Sequence, residues 1–251
     1  MSGHSKWAQI KRQKGVADVR RGQVFTKLAR EIIVAARQGG GDPEANFRLR
    51  LAIQKARESN MPLDNIERAI RRGTGELEAE SLVEVTYEGY GPGGIAILLQ
   101  VLTDNRNRTV ADIRNLFTRS GGSLGESGSV AWLFEPKGII TLDASARDPD
   151  ELALEAIDLG AEDVRIEDSA LEVYTPPHDL DKVRQALEKH KVHVSSVELS
   201  MVPKATIPVA EKDALTALRL LDKLDELDEV QRVYTNADFP NEVVSKFQAG
   251  V

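Results

Sequence analysis

Apolar residues recur along the chain with two different periods, and the change from one to the other near residue 80 is the first sign of its organisation. From Gln23 to Arg37, the residues Val24, Phe25, Leu28, Ile32 and Ala36 fall at helical spacing, and at about 100° per residue Lys27, Arg30 and Arg37 project from the opposite side. After Gly39-Gly40-Gly41, Asp42-Pro43 predicts a helix start, with Asp as N-cap and Pro at the first helical position. Ala45, Leu49, Ala52, Ile53 and Ala56 continue it as a stripe. Pro62 opens a third helix with Leu63, Ile66 and Ile70 inward, Arg68, Arg71 and Arg72 near its end and Gly73 as its stop. Residues 20–73 are therefore expected to form a small helical bundle. Residues 1–19 carry no convincing stripe and are expected to be an arm, mobile until it meets a partner.

Beyond a Glu-rich linker, Gly75 to Glu80, the period becomes two. Leu82 to Tyr87 predicts a strand, Gly89-Tyr90-Gly91-Pro92-Gly93-Gly94 a turn, and Ile95 to Leu102 a buried strand. The glycine run fails as a phosphate loop, because such a loop must open a helix and this one leads into a strand. Thr103 to Thr109 leads into a helix carrying Val110, Ile113, Leu116 and Phe117, which ends at Ser120-Gly121-Gly122. A Gly/Ser loop to Ser129, with the composition of a mobile contact segment, precedes a strand from Val130 to Phe134.

Residues 138–202 repeat a recognisable order. Ile139 to Leu142 is a strand, Asp148-Pro149 with Glu151 opens a helix that Gly160 closes, and Val164 to Ile166 with Leu171 to Tyr174 form a hairpin. Pro176-Pro177 begins a helix with Leu180, Val183 and Leu187 inward, and Val192 to Met201 is a strand. The order βαββαβ is ferredoxin-like. A helix over 211–226 and a strand from Val230 to Tyr234 are left without a sheet of their own, and the open one begins at Leu82. The expected fold class is α+β and multidomain: a basic arm and helical domain over 1–79, a discontinuous α/β domain from 80–135 and 206–251, and a ferredoxin-like domain, 136–205, inserted into it.

Charge changes this picture. Among its 251 residues the chain has a net charge of −7, yet residues 1–75 hold 16 Lys/Arg against 7 Asp/Glu, while residues 76–251 hold 17 against 33. A basic segment on an acidic body reads as a contact surface for a polyanion, and its bases recur through three successive segments. Lys6, Lys11, Arg12, Lys14, Arg20, Arg21, Lys27, Arg30 and Arg37 are the candidate phosphate contacts, with Trp7 as a stacking aromatic. Arg106 and Arg108, at the expected start of a helix, are candidates for a secondary phosphate contact, ordinary capping being the other reading.

Composition removes several chemistries. The chain has no Cys, which excludes disulfides and thiolate metal sites and fits a reducing cytoplasm. His190 and His193 lie three apart where helix turns to strand, with no carboxylates clustered beside them, so no metal site is expected. No apolar run approaches the roughly 18 residues of a membrane span, and the basic N-terminus lacks the apolar face of a transit peptide, so it is read as mature. No nucleophile stands with a base at legible spacing, and neither an enzyme, a cofactor nor a small-molecule substrate is expected.

Several strings are distinctive. Gly3-His4-Ser5-Lys6-Trp7, Phe25-Thr26-Lys27-Leu28 with Arg30-Glu31-Ile32, Asn60-Met61-Pro62 with Asp64-Asn65-Ile66, Thr103-Asp104-Asn105-Arg106-Asn107-Arg108-Thr109 and Ser129-Val130-Ala131-Trp132 resemble the YebC/PmpR family from end to end. The resemblance implies a helical domain, a second domain interrupted by a third, and no known catalysis. It also implies a regulatory nucleic-acid-binding role in two versions: DNA-binding control of transcription, or a ribosome-associated role in translation, as in a mitochondrial relative. The residues leave both open. No helix-turn-helix or basic zipper signature marks a groove reader, whereas a basic surface with Trp7 among lysines suits RNA.

Overall fold

The stripe from Val24 to Ala36 forms one long helix, α1 (Asp18–Gly39), in a computed structural model that describes residues 7, 10, 18–78, 81–145, 147–167 and 170–249. Two shorter helices, α2 (Phe47–Glu58) and α3 (Leu63–Gly73), pack on it rather than mainly on each other. The second helix begins later than Asp42-Pro43 predicts. Asp42 Oδ1 merely accepts from the Glu44 N–H at 2.9 Å, and the cap is Asn46. The Asn46 side chain accepts from Leu49 N–H at 3.0 Å and donates to the carbonyls of Ala35 and Gly40 at 2.8 Å each. A buried amide that satisfies three main-chain groups, one of them at the end of α1, outcompetes an exposed Asp. Gly73 is the last residue of α3 rather than its stop. A Cβ there would lie 2.5 Å from the Ile33 carbonyl oxygen, so glycine permits the close approach of α3 to α1. Leu63, expected inward, is exposed.

The chain divides by its internal contacts into two units, one holding residues 5–133 and 205–251, the other 134–204. In the first, β1 (Val83–Tyr90) and β2 (Ala96–Thr103) pair antiparallel across the glycine turn, followed by α4 (Arg106–Arg119) and the short β3 (Ser123–Leu124). The near-continuous apolar run of β2 is explained by what lies on its two faces. Ile95, Ile97, Leu99 and Val101 join a core with Ile113 and Phe117 of α4, whereas Leu102, with Leu82, joins the core of the three helices. The helical bundle is thus seated on the sheet through a shared apolar layer, each fully buried aliphatic residue contributing about 1.5–3 kcal/mol.

In the second unit β4 (Phe134–Asp143), α5 (Pro149–Asp158), β5 (Asp163–Glu167), β6 (Ala170–Thr175), α6 (Leu180–Lys189) and β7 (Val194–Pro203) follow in the order βαββαβ, and the sheet runs β5-β6-β4-β7, antiparallel throughout. The strands expected at Val130–Phe134 and Ile139–Leu142 are not separate. Residues 131–133 form a short 3-10 turn, and β4 is one strand of 10 residues along most of which β7 pairs.

The chain then returns to the first unit with β8 (Ile207–Pro208), α7 (Glu211–Asp225), β9 (Val230–Thr235), β10 (Ala237–Asp238) and α8 (Asn241–Gln248). Strand β9 pairs with β2, giving the sheet order β3-β1-β2-β9, and Ala214, Ala217, Leu218, Leu221 and Leu224 of α7 fill its core.

Candidate nucleic-acid interface

Seating the bundle on the sheet decides what becomes of the basic face of α1. Lys27 Nζ donates to the Asp225 carbonyl at the end of α7, and Arg37 Nη1 donates to the Leu82 carbonyl at 3.0 Å. Arg30 is half-buried, its Nη1 enclosed without a hydrogen-bond partner among the described residues. Glu31, on the same helix, faces Arg232 of β9 at 3.8 Å. The expectation that Lys27, Arg30 and Arg37 look together into solvent is corrected for the first two, which are half-buried; Arg37 is exposed but gives one guanidinium N–H to a main-chain carbonyl.

Trp7 is corrected more sharply. It is 3% exposed, its ring centroid 6.5 Å from that of Phe247 on α8, and with Ile10 it belongs to the core that α7 and α8 build on the sheet. An indole offers more apolar area than almost any other side chain, and an apolar site within the same chain competes with any base for it. Lys6, Lys11, Arg12 and Lys14 lie outside the described residues, as do the side chains of Arg20 and Arg21.

Arg106 and Arg108 stand inside the first turn of α4, which Asn105 caps by accepting from the Arg108 N–H at 3.1 Å. The guanidinium of Arg108 bridges Asp104 at 2.9 Å and Glu229 at 3.1 Å, which hold its pKa above the ordinary value. That is a salt bridge within the unit and corrects the reading of Arg108 as an uncommitted phosphate contact. Arg106 is exposed beside Tyr87, whose hydroxyl donates to the Arg106 carbonyl at 3.4 Å.

The cations that remain outward are on the other two helices. Arg57, in the last turn of α2, and Arg68 and Arg72, one turn apart on α3, are exposed and make no ion pair among the described residues. Their neighbours are committed: Arg48 to Glu84 at 3.0 Å, Arg71 to Glu76 at 3.3 Å, and Arg50 over the Phe47 ring at 5.4 Å. Sequence reasoning noticed Arg68 and Arg72 only as helix-end charges. The signal was there for Arg68, which lies about 200° around α3 from the buried Ile66.

A second exposed feature lies in the segment that composition marks as a mobile contact loop. The Gly/Ser segment before β4 is fastened by the carboxylate of Glu88 on β1, which accepts from the N–H groups of Gly128, Val130 and Ala131 at 2.7 Å each. Glu88 is 4% exposed. Burial pushes its pKa up, but the three N–H donors together outweigh burial and hold it below the ordinary carboxylate value. Gly128 adopts φ +87°, a left-handed conformation that glycine takes without strain. Beyond this clamp Trp132 is 64% exposed, and its Nε1 donates to the Ser129 carbonyl at 3.1 Å. The hydroxyl of Tyr90, also exposed, donates to the same carbonyl at 2.9 Å.

Among the described residues no group of three or more His, Asp or Glu could hold a metal ion, and no helix is long and apolar enough to cross a membrane.

Comparison with known proteins fixes the family. A family model described as the TACO1/YebC protein N-terminal domain matches residues 5–76, and another, the TACO1/YebC second and third domain, matches residues 82–237. The chain belongs to the TACO1/YebC family. Among its relatives are proteins named as probable transcriptional regulatory proteins: one from Dehalococcoides mccartyi strain 195 is 59% identical over 249 residues, covering 99% of both chains. Another, from Chloroflexus aggregans, is 57% identical over 252 residues, covering 99% of this chain and all of the relative. A crystal structure of a conserved hypothetical protein from Aquifex aeolicus shares 48% identity and superposes with a TM-score of 0.85, covering 94% of this chain and 98% of that one. Its likeness extends the TACO1/YebC architecture of mixed helices and antiparallel sheets to almost the whole chain.

Proposed function

We propose that this chain is a non-enzymatic regulator of gene expression that acts by binding nucleic acid, with duplex DNA held on the outward side of α2 and α3. The observation that carries the reading is the sorting of cations in the helical bundle. On α1, Lys27 and Arg37 donate to main-chain carbonyls, whereas Arg57, Arg68 and Arg72 stand exposed with no ion pair among the described residues. Helices α2 and α3 are joined by four residues, with Asn60 in a left-handed conformation at φ +57°, and the three arginines stand exposed on the two elements that flank this turn. The names of the relatives support control of transcription.

The test is a titration against salt. Replacing Arg57, Arg68 and Arg72 together with Gln should flatten the slope of log affinity against log salt on duplex DNA by about 2.7, about 0.9 for each phosphate no longer neutralised. Affinity should fall alike for all sequences, because backbone contacts position without reading bases. An unchanged slope would remove the reading. A ribosome-associated, RNA-binding role is the second reading, favoured by the exposed Trp132, since unpaired bases are commoner on RNA. Stronger binding to structured RNA than to matched duplex DNA would select it.

A further inference from the structure

We propose that the outward edge of α5 and β5, in the second unit, is a docking surface for a cationic amphipathic segment of another protein. The surface involves no nucleic acid and stands apart from the reading of α2 and α3.

A helix that covers a sheet buries one side and presents polar groups on the other. Helix α5 buries Leu152 and Ala156, yet Leu154 and Ile157 on its far side are 68% and 44% exposed, and Ile166 on β5 is 45% exposed. These are three of the six large hydrophobic side chains exposed among the described residues, gathered in one stretch of chain. Exposed apolar side chains in a contiguous patch mark interaction surfaces, whereas single ones are ordinary.

The topology brings the three to one edge. Helix α5 packs on β5 and β6, α6 packs on β4 and β7, and β5 is the outermost strand. The Glu155 carboxylate meets His190, which caps the end of α6, at 3.1 Å. Ile157 lies about 200° around α5 from Glu155, so it turns away from α6 and toward the β5 edge, with Leu154 about 60° from it. Ile166 is on the same side of the sheet. A Cβ at Gly138 would lie 2.8 Å from Leu180 of α6, so Gly138 and, by alternation, Leu142 face the helices. Leu142 pairs with Leu171 and Leu171 with Ile166, and residues directly opposite one another share a face.

Charge selects the occupant. Asp150, Glu151 and Asp158 stand exposed on α5 with no ion pair among the described residues, and the helix carries no base. Asp150 and Asp158 lie one turn to either side of Leu154, so acids bracket the apolar ridge. Asp150 and Glu151 suit the positive end of a helix. Asp158 sits in the last turn, where an acid opposes the helix dipole, so the stability of α5 gives no reason for it. Such a face repels a nucleic-acid strand or an anionic lipid surface. A second copy seated about a twofold axis would set these acids against their own equivalents. Lys or Arg flanking apolar anchors, as on an amphipathic helix, answers both the ridge and the acids. Three apolar side chains and their flanks are the scale of a weak, transient encounter.

The probe is a synthetic helix with leucine on one face and lysine on the other, titrated into the full chain and followed through backbone amide shifts. The shifts should move within 150–158 and 163–166. Leu154→Ser with Ile157→Ser should weaken binding on the order of tenfold. Asp150→Asn, Glu151→Gln and Asp158→Asn together should weaken it as well and flatten its salt dependence. All five side chains are exposed, so both variants should melt with the parent and keep its affinity for duplex DNA. A peptide of the same composition scrambled to remove the apolar face should bind more weakly and treat the parent and the Ser variant alike. Unchanged affinity of the amphipathic helix for the Ser variant would mean that the acidic unit attracts any cation, and it overturns the docking surface, as does a parent that does not bind the helix. Light scattering that shows a parent dimer dissolved by the Ser substitutions makes a second copy the occupant and also overturns it. Loss of duplex affinity in either variant overturns it by placing the face in the nucleic-acid surface instead.

Discussion

Helix α1 and the loop from Gly125 to Ala131 exchange the roles that their compositions suggest. The helix carries Lys27, Arg30 and Arg37 on one side and looks like a cationic surface, yet that side is turned to the Asp225 and Leu82 carbonyls. The loop is glycine, serine and one glutamate ahead of Val130 and Ala131 and looks mobile, yet a buried carboxylate holds it and an exposed tryptophan stands beside it. Composition describes what a segment could do in isolation. What it does is set by which acceptors and donors the rest of the chain brings against it: carbonyl oxygens against α1, the Glu88 carboxylate against the loop.

The two tryptophans sharpen the contrast and give the largest expected effect. Trp7→Ala should cost about 3–5 kcal/mol, the usual range for emptying a buried aromatic site, and lower the melting temperature by several degrees. It should leave the salt dependence of binding alone. Thermal melts of Trp7→Ala and Trp132→Ala side by side decide it. If Trp7→Ala melts like the parent and binds more weakly instead, the N-terminal arm is a contact segment after all and the comparison collapses.

Next in size is the clamp. Glu88→Gln keeps an acceptor but gives up charge-assisted bonds to three N–H groups, and should destabilise by about 2–3 kcal/mol. The sign with pH follows from the direction of the shift. Because the folded pKa lies below the ordinary value of 4.5, the contribution of Glu88 is complete above that value and is lost as pH falls through the folded one. The difference in melting temperature between parent and variant should therefore be constant near neutrality and shrink in the acid range. Limited proteolysis should also cut Glu88→Gln within 125–131 where the parent resists. A variant as stable and as resistant as the parent would return the loop to the mobile class that its composition suggests.

How far the sequence could be read follows the same division. Helices and strands were legible wherever one face is apolar, as from Val24 to Ala36 or Ile95 to Leu102, because periodicity reports burial directly. The order βαββαβ over 134–203 was legible for the same reason, although its first strand begins at Phe134 and not at Ile139, Pro136 keeping its place in the register opposite Met201. What periodicity does not report is which second face is covered. In α1 the second face is partly covered as well, so a helical wheel gave the half-buried Lys27 and Arg30 to solvent. The Glu88 clamp was illegible for a related reason: the 40 residues between its carboxylate and the Gly128 amide are brought together only by β1 and β3 pairing. Asn46 defeated the Asp42-Pro43 signal through the Ala35 carbonyl of another helix and the Gly40 carbonyl just past its end.

The smallest expected effect is the one that most nearly separates the two regions. Replacing Lys27 and Arg37 with Gln removes two positive charges from a chain segment whose net charge invited a phosphate-binding reading. Each donates to a main-chain carbonyl, so each substitution should cost on the order of 1 kcal/mol of stability, less where Gln reaches the same oxygen. Had both touched phosphates, the duplex salt slope would flatten by about 1.8, and with carbonyls as their partners it should not move beyond a small change from the altered field. Measured on one duplex at several salt concentrations, the double variant should overlay the parent, while the triple variant at Arg57, Arg68 and Arg72 should not. Equal flattening in both would mean that α1 opens away from the sheet when nucleic acid binds, exchanging two carbonyls for two phosphates. The cations of α1 would then be held in reserve rather than committed to the fold.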